Sequence, residues 1–274
     1  MGWVDQTPLW VIGLASVIGL GLVHELGYEL GRHATHKLGI GEGKAYLVPS
    51  VLALVGLMMG FTFNAAQNNY RNRQDLVVAE ANALGTAYER IQTLAEPWRG
   101  QLNQQMRRYV QVRAAFAEIG GGDPARLAAN TAQTAAQEAR LWETVGVVVQ
   151  ANSVPTLNGP LLQSVNEMFE RAASRRAADD IRIPPAVLLM LVVSGFVTAT
   201  IVGFAGATDR RYWVVTAAVL VVEAMAFCLI LALDRPNSYP VRVNQAPMER
   251  VIAAIQQGQA MKRPAAQYSA DTSS

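Results

Sequence analysis

The chain has 274 residues, of which 51% are hydrophobic and only 16% charged, a balance that favours burial in a non-aqueous setting over an ordinary soluble surface. Its net charge is +2 and the basic residues alternate with acids, so no concentrated basic surface exists for phosphate backbones and nucleic acid is set aside as a partner. The single cysteine, Cys228, lies inside an apolar run, which excludes an intrachain disulfide and a cysteine metal cluster.

Four apolar runs organise the rest: Pro8 to Leu26, Ala45 to Ala66, Pro184 to Ala207 and Tyr212 to Leu233. Each supplies about 20 mostly apolar residues, enough to cross a hydrocarbon core about 30 Å thick as a helix. The first run is preceded by Asp5 and by no Lys or Arg, and it ends at His24, Glu25 and Glu29 instead of a small-residue cleavage site. It reads as a retained span and not as a cleaved signal. Past its end, Glu29, His33 and His36 are spaced to share one helical face, where imidazole and carboxylate can converge on a divalent metal. Gly27, Gly31 and Gly39 fray that helix, so a solvated cluster at the membrane edge is preferred and no metal or other cofactor is expected.

The second run does not stop cleanly. From Pro49 it passes through Gly56-Leu-Met-Met-Gly60 and Phe61-Thr-Phe63 into Asn64-Ala-Ala-Gln-Asn-Asn-Tyr-Arg-Asn-Arg73, and no proline follows before Pro97. One helix is expected to leave the bilayer and continue, with Val77, Ala81, Leu84, Tyr88, Ile91 and Ala95 as an apolar stripe. Leu57, Phe61, Asn64, Asn68 and Arg71 fall on another stripe, which changes from apolar to amide to cationic along the helix. Such a face suits a pore with a constriction at Leu57 and Phe61 and a polar mouth at Asn64, Asn68 and Arg71. Lipid or helix contacts for the first two, with the amides marking the bilayer edge, is the competing reading.

A second helix of the middle region is expected from Pro97 to about Ile119. The turn Gly120-Gly-Gly-Asp123-Pro124 then starts a third, which runs to about Ala151. Ser153-Val-Pro-Thr-Leu-Asn-Gly-Pro160 is expected to break it, and a fourth starts at Leu161 with Val165, Met168 and Phe169 on its apolar face. No run alternates with period two between turn signals, so no strand is expected. The expected architecture is therefore all-α, with four transmembrane helices in two pairs flanking a helical extramembrane domain. Its segments are 1–66, the first pair; 67–183, the helical domain; 184–233, the second pair; and 234–274, a C-terminal segment that is disordered after about 263.

Within the fourth run, Glu223 stands near the bilayer centre, where an acid costs about 3 kcal/mol unless it faces protein or water. It is expected either to bind ions or titrate, or to hold helices together through Ser194, Thr198 or Thr200 of the third run. Gly56-xxx-Gly60 and Gly27-xxx-Gly31 offer flat surfaces for close helix approach. No GxSxG elbow, phosphate-binding glycine loop or HExxH helix is present, so an enzyme is not expected. Neither inverted repeats nor paired broken helices point to a transporter.

Several short motifs remain: Gly60-Phe-Thr-Phe63, Arg73, Glu80-Ala-Asn82, Gly85-Thr-Ala-Tyr88, Asp234-Arg235-Pro236 and Val243-Asn-Gln-Ala-Pro247. Together they resemble the bacterial membrane family called bestrophin-like, over most of the chain from about Pro49 to Val251. The resemblance implies a multi-pass protein of the bacterial inner membrane and, through similarity to bestrophins proper, a homo-oligomeric channel for inorganic ions lined by the second span. Asn69-Tyr70-Arg71 matches the basic aromatic signature that bestrophins carry after this span, but no tryptophan pair follows. The alternative function is a non-conducting sensor or assembly subunit that binds a partner through the Tyr88 and Ile91 stripe. The resemblance also implies a cytosolic middle domain. The positive-inside rule, read from Arg32, Lys37, Lys44, Arg210 and Arg211 in the short loops, instead puts those loops in the cytoplasm and the middle domain outside, although Arg71, Arg73, Arg175, Arg176, Arg182, Arg235 and Arg242 at the other span ends favour the reverse.

Overall fold

The structure is a computed structural model that describes residues 7–38, 44–119, 123–151, 155–207, 213–235 and 241–258. Among these residues the chain is all helical: α1 (Leu9–Leu38), α2 (Lys44–Gln92), α3 (Trp98–Ile119), α4 (Pro124–Ala151), α5 (Pro155–Asp180), α6 (Pro185–Gly206), α7 (Trp213–Asp234) and α8 (Ala246–Gln257). The chain divides into two compact units, one of residues 1–72 with 180–242 and the other of residues 73–179 with 243–274. The expected disorder after 263 lies outside the described residues.

Among the described residues four helices are long and apolar enough to cross a membrane. Trp10, Leu14, Ile18, Leu22, Leu26 and Leu30 project from α1 as an exposed apolar ladder with a step of four residues. The other side of α1 packs on α6 through missing side chains. A methyl added at Gly27 would stand 2.1 Å from the Thr200 carbonyl oxygen, and one at Gly203 would stand 2.1 Å from that of His24. Gly31 meets Phe204 and Ala207 in the same way, so the Gly27-xxx-Gly31 surface is used within the chain. Small residues let helix backbones touch where lipid supplies no hydrophobic drive for association.

The pairings also give direction. Leu20 lies by Gly195, Gly27 by Thr200 and Gly31 by Phe204, so α1 and α6 run parallel. Gly13 meets Cys228, and Arg235 donates to the Thr7 carbonyl at 2.8 Å, so α7 runs antiparallel to α1. The start of α6 is tied to the end of α7, where Asp234 Oδ1 accepts from the Ile183 amide at 2.8 Å and Arg182 donates to the Asp234 carbonyl at 2.9 Å. Ala66, Ile183, Leu191, Ile230 and Leu233 form an apolar core beside this collar, with Met58, Met59 and Phe63 packed on it.

The second unit is built on the continuation of α2, whose 49 residues make a helix about 74 Å long, more than twice a hydrocarbon core. Val77, Ala81, Leu84, Tyr88 and Ile91 are buried there, as are Leu102, Met106, Tyr109, Leu141, Val165 and Met168 of the other helices of this unit. Asp123 caps α4 by accepting from the Ala125 and Arg126 amides at 3.0 and 3.1 Å, the role its place before Pro124 predicts. One expectation is corrected. The fourth helix of the middle region starts at Pro155 and not at Leu161: Pro155 occupies a first-turn position where a missing N–H costs nothing, and Pro160 forfeits only one early hydrogen bond. The C-terminal segment also contains α8, which buries Met248, Ile252 and Ile255 and ends at Gly258 in the left-handed conformation (φ 69°).

Candidate functional site

One face of α2 is buried in the chain and the opposite face is open along nearly its whole length. Leu57 and Phe61 are 55% and 68% exposed, and Asn64, Asn68 and Arg71 continue the open face in register, followed by Asp75, Val78, Asn82 and Thr86. The five residues read from the sequence as a pore stripe thus share one uncovered surface of the helix. Gly60 and Gly56 lie in the same stretch, and a methyl on either would meet nothing within 4 Å. The first half of this face resembles a lipid-facing surface, but a run of two amides and a guanidinium does not, because each would surrender its hydration in hydrocarbon.

Behind the open face, the motif residues anchor α2. Phe63 packs on the apolar core of the first unit, and Tyr70 donates its hydroxyl to the Arg242 carbonyl at 3.2 Å. Arg73, almost fully buried, donates Nε to the Ala178 carbonyl at 3.3 Å and lies 4.0 Å from the Asp179 carboxylate. Glu80 is 0% exposed and takes both of its oxygens to guanidinium groups: Arg113 at 2.5 Å from α3 and Arg175 at 2.7 Å from α5. Arg175 also donates to the Gln245 side chain at 2.7 Å, just before α8, and the Phe116 ring lies under both guanidiniums at 4.7 and 5.4 Å. One carboxylate thereby gathers four segments. Asn82 is exposed on the open face, Asp234 and Arg235 form the collar, and Pro236 lies outside the described residues.

Nearby, Glu138 accepts from the Tyr109 hydroxyl at 3.3 Å and lies 3.7 Å from Arg176, while burial pushes its carboxyl above the usual range against the pull of that arginine. Burial likewise drives the Tyr109 phenol upward, so it stays a neutral donor. Sequence reasoning missed Arg113 and Arg175 as partners of Glu80. Their signal was phase: Arg113 follows Met106, Tyr109 and Val110 on the buried side of α3, and Arg175 follows Met168 and Ala172 on that of α5.

The remaining candidates do not join these residues. Glu29 pairs with Arg32 at 3.3 Å, His33 Nδ1 lies 2.7 Å from the Glu29 carbonyl, and the His36 side chain lies outside the described residues. Glu223 does not bond Ser194, Thr198 or Thr200, whose hydroxyls each return to a carbonyl of their own helix. It faces Gly195 in an apolar cavity instead.

The bestrophin-like domain model matches residues 28–248. The chain belongs to the bestrophin-like family. Three crystal structures share its fold: a bacterial bestrophin homolog from Klebsiella pneumoniae (16% identity, 91% of this chain and 98% of that one, TM-score 0.66), a single-substitution variant of a membrane protein (17%, 92% and 100%, 0.66) and a tryptophan-to-alanine variant of the Klebsiella homolog (17%, 89% and 95%, 0.66). No curated protein matches the chain by sequence. This bestrophin-like chain is therefore a multi-pass, all-α membrane protein associated with a lipid bilayer, and its family supports channel-type function at the level of the family.

Proposed function

We propose that several copies of this bestrophin-like chain assemble in the bacterial inner membrane into a channel for inorganic ions, with the open face of α2 lining the pore. The observation that carries this is the polar sequence Asn64, Asn68 and Arg71 on a surface left open by the described residues, continuous with exposed Leu57 and Phe61. A ring satisfies both demands at once: α1 turns its apolar ladder outward to lipid, and α2 turns its amides and guanidinium to water. Leu57 and Phe61 then form a ring of apolar side chains that gates by excluding water, with Asn64, Asn68 and Arg71 as its mouth. The Glu80 network holds the buried face of α2 while the other face is free to line a passage. Glu223 stands behind the pore helix and touches no permeating ion.

Tyr88 and Ile91 were the surface for the rival reading, a sensor or assembly subunit. They are 3% and 0% exposed, packed in the core of the second unit, so they offer no partner a surface. Current across a planar bilayer under asymmetric salt tests the channel. Wild-type protein gives discrete openings, and Phe61→Ala raises the open probability or conductance severalfold by removing the dewetting ring. Silence from both proteins, with intact oligomers confirmed on the same sample, returns the reading to a non-conducting subunit.

The collar and the parallel course of α1 and α6 support four crossings, which put Thr7, Tyr70, Ile183 and Arg235 at one side. The charges of the short loops assign that side to the exterior. With Cys228 replaced by Ser, a cysteine introduced at exposed Arg32, at the short-loop end of α1, is then labelled only from the cytoplasm, and labelling from outside reverses the assignment.

A further inference from the structure

Inside the first unit, α1 and α6 touch at Gly27, Gly31 and Gly203 but part toward their N-terminal ends, and α7 closes the gap only partly. The space between them is a cavity of about 490 Å³. Its walls are almost wholly apolar, with Val11, Ala15, Leu188, Phe196 and Phe227 among them, and among the described residues Thr7, Ser16 and Glu223 are its polar ones. Glu223 Oε1 is fully buried and makes no hydrogen bond among the described residues. Gly195 makes room for that carboxyl, since a methyl there would stand 2.7 Å from Oε1. Among the described residues the cavity wall carries one acid, no basic residue and hydrocarbon elsewhere, so a cationic head on an apolar body is the ligand that uses both features.

We propose that this cavity is a binding site for a lipophilic amine, whose ammonium meets the Glu223 carboxylate while its hydrocarbon part lies along Phe196, Phe227 and Leu188. Oε1 itself is closed off against Gly195, so the ammonium meets the part of the half-buried Glu223 carboxyl that stays accessible, and the apolar walls replace the lipid from which such an amine partitions. Acyl chains and neutral alcohols fill the same volume without using the acid, so charge is the discriminating property. The site is separate from the open face of α2, and its test does not require current.

Tritiated phenylbutylamine is measured by equilibrium binding to the protein in lipid nanodiscs, with uptake by empty discs subtracted, alongside neutral phenylbutanol. Wild-type protein is expected to retain the amine more tightly than the alcohol, and Glu223→Gln to weaken the amine by more than about tenfold while leaving the alcohol unchanged. Ala15→Phe, which fills the cavity and leaves the acid in place, removes the binding of both. Absence of saturable amine binding to wild type overturns the proposal, as does an affinity that Glu223→Gln leaves intact. Should Glu223→Gln fail to fold, Ala15→Phe and the preference for amine over alcohol decide: retained amine, or equal affinity for the two probes, overturns it.

Discussion

The two units of this chain are held together by opposite means. In the first, α1 and α6 meet backbone to backbone at Gly27, Gly31 and Gly203, where side chains are missing, and a collar of polar bonds joins Thr7, Arg182, Ile183, Asp234 and Arg235 at one end. In the second, large side chains fill the core, and at its centre stand two arginines and a glutamate with almost no exposure. The difference follows from the solvent each unit is made for. Lipid gives apolar side chains no reason to leave it, so helices associate by fit. Water drives apolar surface together, and the resulting core can carry an ion network provided its groups pair with one another.

Two substitutions break the comparison from either side. The larger effect belongs to Glu80→Ala, which leaves Arg113 and Arg175 facing each other without an anion. Breaking a buried network in this way costs about 3–5 kcal/mol. Thermal melting is expected to fall by many degrees, with hydrogen exchange accelerated in α3 and α5; an unchanged melt means that the triad is solvated and unimportant. Gly203→Ala comes next, because its methyl must push the His24 carbonyl aside, an overpacking cost of about 1–3 kcal/mol. Faster exchange confined to α1 and α6 is the expected signature. Wild-type exchange in those helices refutes the close-contact account of the first unit.

The sequence made the spans, the absence of strands and the continuation of α2 legible, because each rests on composition or on a long run without proline. It also put Leu57, Phe61, Asn64, Asn68 and Arg71 on one face, since helical phase needs no tertiary information. It failed where an ambiguous residue took a tertiary partner. Arg175 sits in a charged stretch that reads as solvated surface, yet it turns inward, where its guanidinium donates to Glu80, 95 residues earlier. Pro155 and Pro160 read as breakers, though a proline near a helix start is compatible with helix. Met248, Ile252 and Ile255 show helical spacing, but α8 is only 12 residues long, too short to stand out beside the four spans. Glu223 was legible as costly but not as the single polar group of a cavity, because the space in front of it arises from the divergence of two other helices.

The collar fixes an order of events during synthesis. Asp234 and Arg235, at the end of the last span, fasten the starts of α6 and α1. A ribosome delivers those two residues after every other span has emerged, so the first three cross the membrane with their ends unfastened and the bundle can close only when the fourth arrives. A chain cut short before Asp234 lacks the latch that ties the starts of α6 and α1 to the last span.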